Sequence, residues 1–237
     1  MLQPIKCPTC QREVIEKKYN FGKTVIVFDC NCEAEAEREA EIKAQYEYAL
    51  SVSKIPPYFQ DSEFSKIDER PEKETCVNYL KNFDTIKNET QNSLFLCGDR
   101  GRGKTTLLAC IGLELLKKGK RCLYLDMTSL IDMCMERHKF DSEKTVNSLF
   151  SWLKSFDFII LDDFGKETYT EKRLEFTYRV INYLVNHKVP IGITAKPEKI
   201  AKLNEIEDFG DILDRLAMKC NQVTFKGESF RRMGDIK

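Results

Sequence analysis

From about residue 60 onward, short apolar runs alternate with longer amphipathic stretches. Residues 93–97, 121–125, 158–161, 189–194 and 222–225 read as strands, being short, apolar and rich in β-branched or aromatic side chains. Residues 105–118, 129–137, 143–154 and 171–187 read as helices. Leu108, Ile111 and Leu115 line one side of the first of these, and Leu174, Tyr178, Ile181 and Leu184 fall in register on the last. Strands that are apolar throughout and separated by helices predict a parallel sheet covered on both faces. Upstream the pattern changes. Residues 24–28 are β-branched and predict a strand within a short hairpin-like stretch. Residues 33–50 are rich in Glu and Ala and lack Gly and Pro, which predicts a helix. Its early part is acidic and solvated, whereas Ile42, Tyr46, Ala49 and Leu50 form a stripe that can face a partner. Ile55-Pro56-Pro57-Tyr58 breaks this helix. The expected organisation is a small module at residues 1–32, a helical linker at 33–54 and one α/β domain at 55–237.

Composition narrows the function classes. Apolar residues make up 42% of the 237, enough for a core, so disorder is excluded as a description of the whole chain. Basic and acidic residues number 38 each, which excludes a uniformly basic nucleic-acid coat but not local patches. No apolar run approaches the ~20 residues of a membrane span, and the first residues resemble no signal peptide. The expected location is the cytoplasm. Disulfides are not expected there, although the chain has ten cysteines. Six of these, Cys76, Cys97, Cys110, Cys122, Cys134 and Cys220, lie among apolar neighbours and read as small buried hydrophobes.

The chemistry is concentrated in residues 98–105, Gly-Asp-Arg-Gly-Arg-Gly-Lys-Thr, which fit G-x-x-x-x-G-K-[ST] at every fixed position between a strand and a helix. Gly98, Gly101 and Gly103 let backbone N–H groups curl around phosphates, and the helix N-terminus adds positive potential. Lys104 reaches the β- and γ-phosphates and the Thr105 hydroxyl coordinates Mg²⁺, with Thr106 next in the helix. The run Phe158-Ile159-Ile160-Leu161 ends in Asp162-Asp163. This strand is expected beside the phosphate-loop strand, with Asp162 near the metal, through water, and Asp163 polarising the attacking water as a base. The implied reaction is hydrolysis of a nucleoside triphosphate. The absence of an Asn-Lys-x-Asp guanine-reading sequence leans toward ATP.

Cys7-x2-Cys10 and Cys30-x-Cys32 supply four thiolates in two close pairs, a set that suits a structural Zn²⁺. A segment of this length cannot build its own core, so a metal staple has a physical purpose. A redox dithiol and an iron–sulfur cluster are the alternatives. Lys6, Arg12, Lys17, Lys18 and Lys23, with Tyr19 and Phe21 among them, suit either single-stranded DNA or a solvated basic face.

Taken together, these motifs resemble the bacterial and phage replicative helicase loaders of the DnaC/DnaI type, a branch of the AAA+ ATPases related to the IstB-type transposition helpers. The resemblance runs from about residue 54 to 232. It includes Ile55-Pro56-Pro57-Tyr58-Phe59 with Phe64, the phosphate loop, and Asp162-Asp163-Phe164-Gly165. It implies a P-loop AAA+ core without a full C-terminal lid, and an N-terminal region that docks on a hexameric replicative helicase. It further implies an ATPase core that touches single-stranded DNA, and self-association on the helicase. It implies that Arg215, within residues 211–216, is an arginine finger reaching the next subunit's ATP site, and that Arg231, after Gly227-Glu228-Ser229-Phe230, senses nucleotide in cis. Thr194 is the polar sensor candidate, since Lys196 stands where the family usually has Asn. Three functions follow: an ATP-dependent helicase loader, an IstB-type helper that recruits a transposase to duplex DNA, and an adaptor that binds ATP but scarcely hydrolyses it.

Overall fold

The computed structural model describes residues 6–7, 9–12, 16–20, 23–27, 30–140, 142–166, 170–206, 209–227 and 229. The chain divides into two compact units, Met1–Tyr48 and Ala49–Lys237. In the first, β1 (Glu16–Asn20) and β2 (Lys23–Val27) pair antiparallel, with Glu16 opposite Val27 and Asn20 opposite Lys23. This is the hairpin the sequence predicts. Helix α1 (Cys32–Val52) follows and matches the expected Glu/Ala-rich segment. On it Ile42 and Tyr48 are exposed and Tyr46 is half-buried. No described helix is long and apolar enough to cross a membrane.

The second unit is built on a five-stranded sheet in the order β4-β5-β6-β3-β7, parallel throughout. Its strands are β3 (Ser93–Cys97), β4 (Cys122–Asp126), β5 (Phe158–Phe164), β6 (Ile191–Ala195) and β7 (Cys220–Thr224). The helices are α2 (Pro71–Lys81), α3 (Phe83–Ile86), α4 (Lys104–Lys117), α5 (Met127–Phe140), α6 (Ser142–Lys154), α7 (Glu171–Asn186), α8 (Pro197–Leu203) and α9 (Gly210–Lys219). Helices α2 and α4 lie on one face of the sheet; α5, α6, α7 and α9 lie on the other. Because side chains alternate along a strand, Phe95, Leu123, Leu125, Ile159, Leu161, Ile191 and Ile193 all join the core under α5–α7 and α9. Their sequence neighbours, such as Leu94, Leu96 and Ile160, are equally buried and belong to the opposite face. The predicted parallel sheet with both faces covered is therefore present.

One expectation is corrected. The strand carrying Asp162 and Asp163 does not adjoin the phosphate-loop strand, because β6 lies between β5 and β3. Periodicity identifies strands but not their order, and a later strand has been inserted between two earlier ones. The strand is also longer than the apolar run suggests, since it continues through both aspartates to Phe164 with a shift in register between Leu161 and Phe164. Asp163 has a φ of 56°, so the irregularity turns the end of the strand and re-aims its carboxylates. Helices α2, α3 and α8, all short, carry too little periodicity to be read from the sequence.

All six core cysteines are buried, as expected. Burial pushes the thiols of Cys76, Cys110, Cys134 and Cys220 up from 9.0 to about 12. The folded protein keeps these protons above pH 9 while the unfolded chain releases them. Their contribution is therefore complete below pH 9 and declines as pH rises toward 12, by at most about 1.4 kcal/mol per pH unit for each thiol. In urea unfolding, Cys110→Ala is expected to be less stable than wild type at pH 7, with the gap narrowing at pH 10. A gap that stays constant over this range contradicts the assignment.

Candidate functional site

The turn between β3 and α4 curls because Gly101 and Gly103 adopt φ values of 75° and 77°, a region that disfavours other residues. The Gly98 N–H donates to the Ala195 carbonyl at 3.2 Å, which ties the mouth of the loop to β6. Lys104 opens α4 and is buried, with 8% of its surface exposed. Its ammonium donates to the carbonyls of Gly98 at 2.7 Å and Asp99 at 2.8 Å. Burial lowers its pKa, while Asp163 and Asp162 act in the opposite direction. Among the described residues no carboxylate forms an ion pair with it. A buried cation hydrogen-bonded to the carbonyls of its own loop and without an ion-pair partner is suited to an anion from outside.

A cleft of about 390 Å³ opens over the loop. Gly101, Gly103, Lys104, Thr105 and Thr106 form one wall, and Tyr58, Phe59, Ile67 and Arg70 form another. The second wall is braced from behind, since Lys73 donates to the Ile67 carbonyl at 2.8 Å and pairs with Glu69. Arg70 donates to the Arg102 carbonyl at 3.2 Å and lies over the Phe225 ring at 5.6 Å. The cleft thus joins a polar, N–H-rich floor to an aromatic and aliphatic side, which suits a ligand with a phosphate chain and a flat apolar end.

Asp162 is the hub of the site. Its Oδ1 accepts the hydroxyls of Thr105 at 2.8 Å and Thr194 at 2.5 Å, and its Oδ2 accepts the Tyr124 phenol at 2.5 Å. Burial, followed by the charge of Asp162, pushes the Tyr124 pKa up, so the phenol keeps its proton and donates. Thr194 is buried and also accepts the Asp163 N–H at 2.9 Å. The Asp163 carboxylate faces Lys166 at 3.2 Å in an exposed pair, a contact of small energy that exchanges readily.

The structure therefore brings Gly98, Gly101, Gly103, Lys104, Thr105, Thr106, Asp162, Asp163 and Thr194 to one end of the sheet. Arg215 is not among the residues of this cleft. It donates to the Tyr178 hydroxyl at 3.1 Å and lies over that ring, next to a second cleft lined by Glu171, Leu174, Glu175, Tyr178 and Asp211. Arg231 lies outside the described residues. Lys196, the departure from the family pattern, caps α8. Sequence reading missed Tyr124, Arg70 and Lys166. Only the register of β4 against β5 identifies Tyr124, because Asp126 pairs with Asp162 and Tyr124 with Ile160.

In the N-terminal unit, the sulfurs of Cys7, Cys10, Cys30 and Cys32 all lie within 4.8 Å of one another. The backbone N–H of Cys10, then that of Thr9, holds the Cys7 thiol down at about 6. The Cys10 thiol, then burial, pushes Cys32 up to about 12. The Cys7 thiolate is favoured while Cys30 and Cys32 resist ionising, a competition that a bound cation removes.

The sequence profile of the IstB-like ATP binding proteins matches residues 14–236. The chain belongs to this family. The uncharacterized protein YqaM of Bacillus subtilis is 30% identical over 175 residues, covering 68% of this chain and 53% of YqaM. The chain thus spans about half the length of that relative. Among solved structures, the crystal structure of DnaI is similar with a TM-score of 0.58 and 20% identity, covering 73% of this chain and 95% of that one. The DnaC helicase loader gives a TM-score of 0.58 at 16% identity, covering 72% and 100%. At these identities the likeness is one of fold, that of an AAA+ P-loop core, and family membership adds ATP binding.

The Thr194 hydroxyl provides a test independent of ligand. Thr194→Val leaves the Asp163 N–H and an Asp162 lone pair without this partner, at an expected cost of about 1–3 kcal/mol in chemical unfolding. Thr194→Ser retains the hydroxyl and is expected to lose less. Equal losses in the two variants contradict the assignment.

Proposed function

We propose that this protein is an ATP-hydrolysing switch that binds a hexameric replicative DNA helicase and delivers it to single-stranded DNA. The observation that carries the ATP half is Lys104, buried at the mouth of the sheet and, among the described residues, hydrogen-bonded to the Gly98 and Asp99 carbonyls but ion-paired with no carboxylate. The residues present fit Mg-ATP. Lys104 and the backbone N–H groups from Gly101 to Thr106 would hold the phosphates, and Thr105, with Asp162 acting through water, would hold the magnesium. Thr105 spends its one hydrogen on Asp162, leaving its lone pairs for a cation. Bound magnesium supplies charge neutralisation for the triphosphate. The aromatic wall of Tyr58 and Phe59 takes the adenosine end.

Asp163 lies one residue beyond Asp162 on the turned end of β5 and accepts the proton of the attacking water at its carboxylate. Thr194 fixes the Asp163 backbone through its N–H. Arg231 reads the nucleotide in cis. Arg215, held on Tyr178 away from this chain's own loop, acts in the site of a neighbouring copy, which makes turnover depend on assembly. The helicase and single-stranded DNA half is supported by the fold shared with the DnaC helicase loader and by the small cysteine module joined to an exposed acidic helix. We assign zinc to Cys7, Cys10, Cys30 and Cys32, with a structural role. The family profile favours a second reading, a transposition helper that recruits a transposase.

Lys104→Ala is expected to abolish nucleotide binding in a fluorescent ATP-analogue titration. Arg215→Ala is expected to lower turnover by ~10³-fold or more with ATP affinity little changed. Normal phosphate release in both variants contradicts the ATPase assignment. Co-purification with a replicative helicase, compared with an IS21-type transposase, decides between the two partners; capture of the transposase alone contradicts the loader. Elemental analysis of the same sample is expected to find about one zinc per chain. Cys10→Ser is expected to lose it and unfold the module while the ATPase domain still melts cooperatively, whereas a metal-free wild type contradicts the zinc assignment.

A further inference from the structure

Asp162 is held at two points, and the second comes from a strand to which the motifs assign no chemistry. Thr105 and Thr194 both donate to Oδ1. Two bonds to one oxygen leave the carboxylate able to swing about that oxygen. The Tyr124 phenol, at 2.5 Å from Oδ2, supplies the second point and so sets the plane of the group. Register accounts for the reach. Strands β4 and β5 run parallel with Asp126 opposite Asp162, so Tyr124 lies one same-face row behind the carboxylate. A tyrosine ring spans the ~7 Å between such rows.

The backbone of Tyr124 is fixed as well. Strand β4 is the edge of the sheet, where N–H groups lack a ladder partner. The Tyr124 N–H instead donates to the Ser53 carbonyl at 2.7 Å, and Ser53 is completely buried. Ser53 is in turn held by its hydroxyl, which donates to the Leu50 carbonyl at 2.7 Å and accepts the Ile55 N–H at 3.2 Å. The phenol thus approaches Asp162 from a pinned segment of chain.

We infer that Tyr124 is a positioning residue for the metal–nucleotide site, orienting Asp162 so that Thr105 keeps its hydrogen on Oδ1 and turns its lone pairs to the phosphate loop. The inference rests on the reading of that loop as a Mg-ATP site. It assigns Tyr124 no contact with nucleotide and no proton transfer. Loss of the hydroxyl frees Oδ2, lets the carboxylate turn and draws the Thr105 hydroxyl with it. The effect is confined to binding that requires magnesium.

The test is titration of the full chain with a fluorescent ATP analogue, in magnesium and in EDTA, for wild type, Tyr124→Phe and Tyr124→Leu, with thermal melts of each. Wild type is expected to bind more tightly in magnesium. Both variants are expected to keep the EDTA affinity within about twofold and to lose about tenfold of the magnesium enhancement, the size of one hydrogen bond to a charged group. The magnesium concentration giving half-maximal enhancement is expected to rise in both. An unchanged enhancement in Tyr124→Phe overturns the inference and leaves the nucleotide site standing. A loss in Tyr124→Leu alone assigns the effect to ring packing and also overturns it, as does loss of the fold in both variants. A wild type that binds the analogue in neither condition overturns the underlying reading instead.

Discussion

Three hydroxyls converge on the carboxylate of Asp162, each from a different element. Thr105 comes from α4, Thr194 from β6 and Tyr124 from β4, while the acid itself ends the apolar part of β5. A half-buried carboxylate without such donors carries a large desolvation cost. Here its lone pairs are met by groups that hold three strands and the phosphate-loop helix in a fixed relation. That convergence ties the first turn of the phosphate-loop helix, through Thr105, to the strand that carries Asp162 and Asp163. The hub also explains how residues separated by two strand spacings act together, since β6 stands between the loop strand and the acid strand. Thr194, on that intervening strand, touches Asp162 and the Asp163 backbone at once.

Much of this was legible in the sequence because the signals are local. The phosphate loop is a contiguous run, and its glycines are where the backbone needs positive φ. The strand ending in Asp162-Asp163 is a short apolar run closed by charge. The four cysteines near the N-terminus lack a core around them and the other six lie within one, and the structure divides them the same way. Features that depend on chain order in space were not legible. Strand order belongs to the sheet as a whole, so the neighbour of β5 was misread. Tyr124 is one aromatic residue in an apolar strand until register sets it behind Asp162. Lys219, which nothing in the sequence singles out, is buried at the end of α9; its ammonium donates to Asn92 at 2.9 Å, and burial lowers it to about 8. Arg215 is the reverse case, since the resemblance singles it out and this chain's own cleft does not include it.

The two units divide the physics. The larger unit is held by a sheet with apolar residues on both faces, where even thiols and the lysines Lys73, Lys104 and Lys219 are buried. The N-terminal unit has a two-stranded hairpin, a largely exposed helix and a cluster of sulfurs. A two-stranded hairpin is marginal alone, so the sulfur cluster is the natural place for its stability to reside. In the proposed switch the small unit supplies recognition and the large one supplies the nucleotide-dependent signal. Family membership ties the large unit to ATP, while the partner rests on the whole-chain reading.

The most direct measurement of the central claim is the structure of the full chain with a non-hydrolysable ATP analogue and magnesium. The account predicts that the Lys104 ammonium leaves the carbonyls of Gly98 and Asp99 and turns to the β- and γ-phosphates, with Thr105 on the metal. An analogue found elsewhere, or one that leaves Lys104 on those two carbonyls, would contradict it.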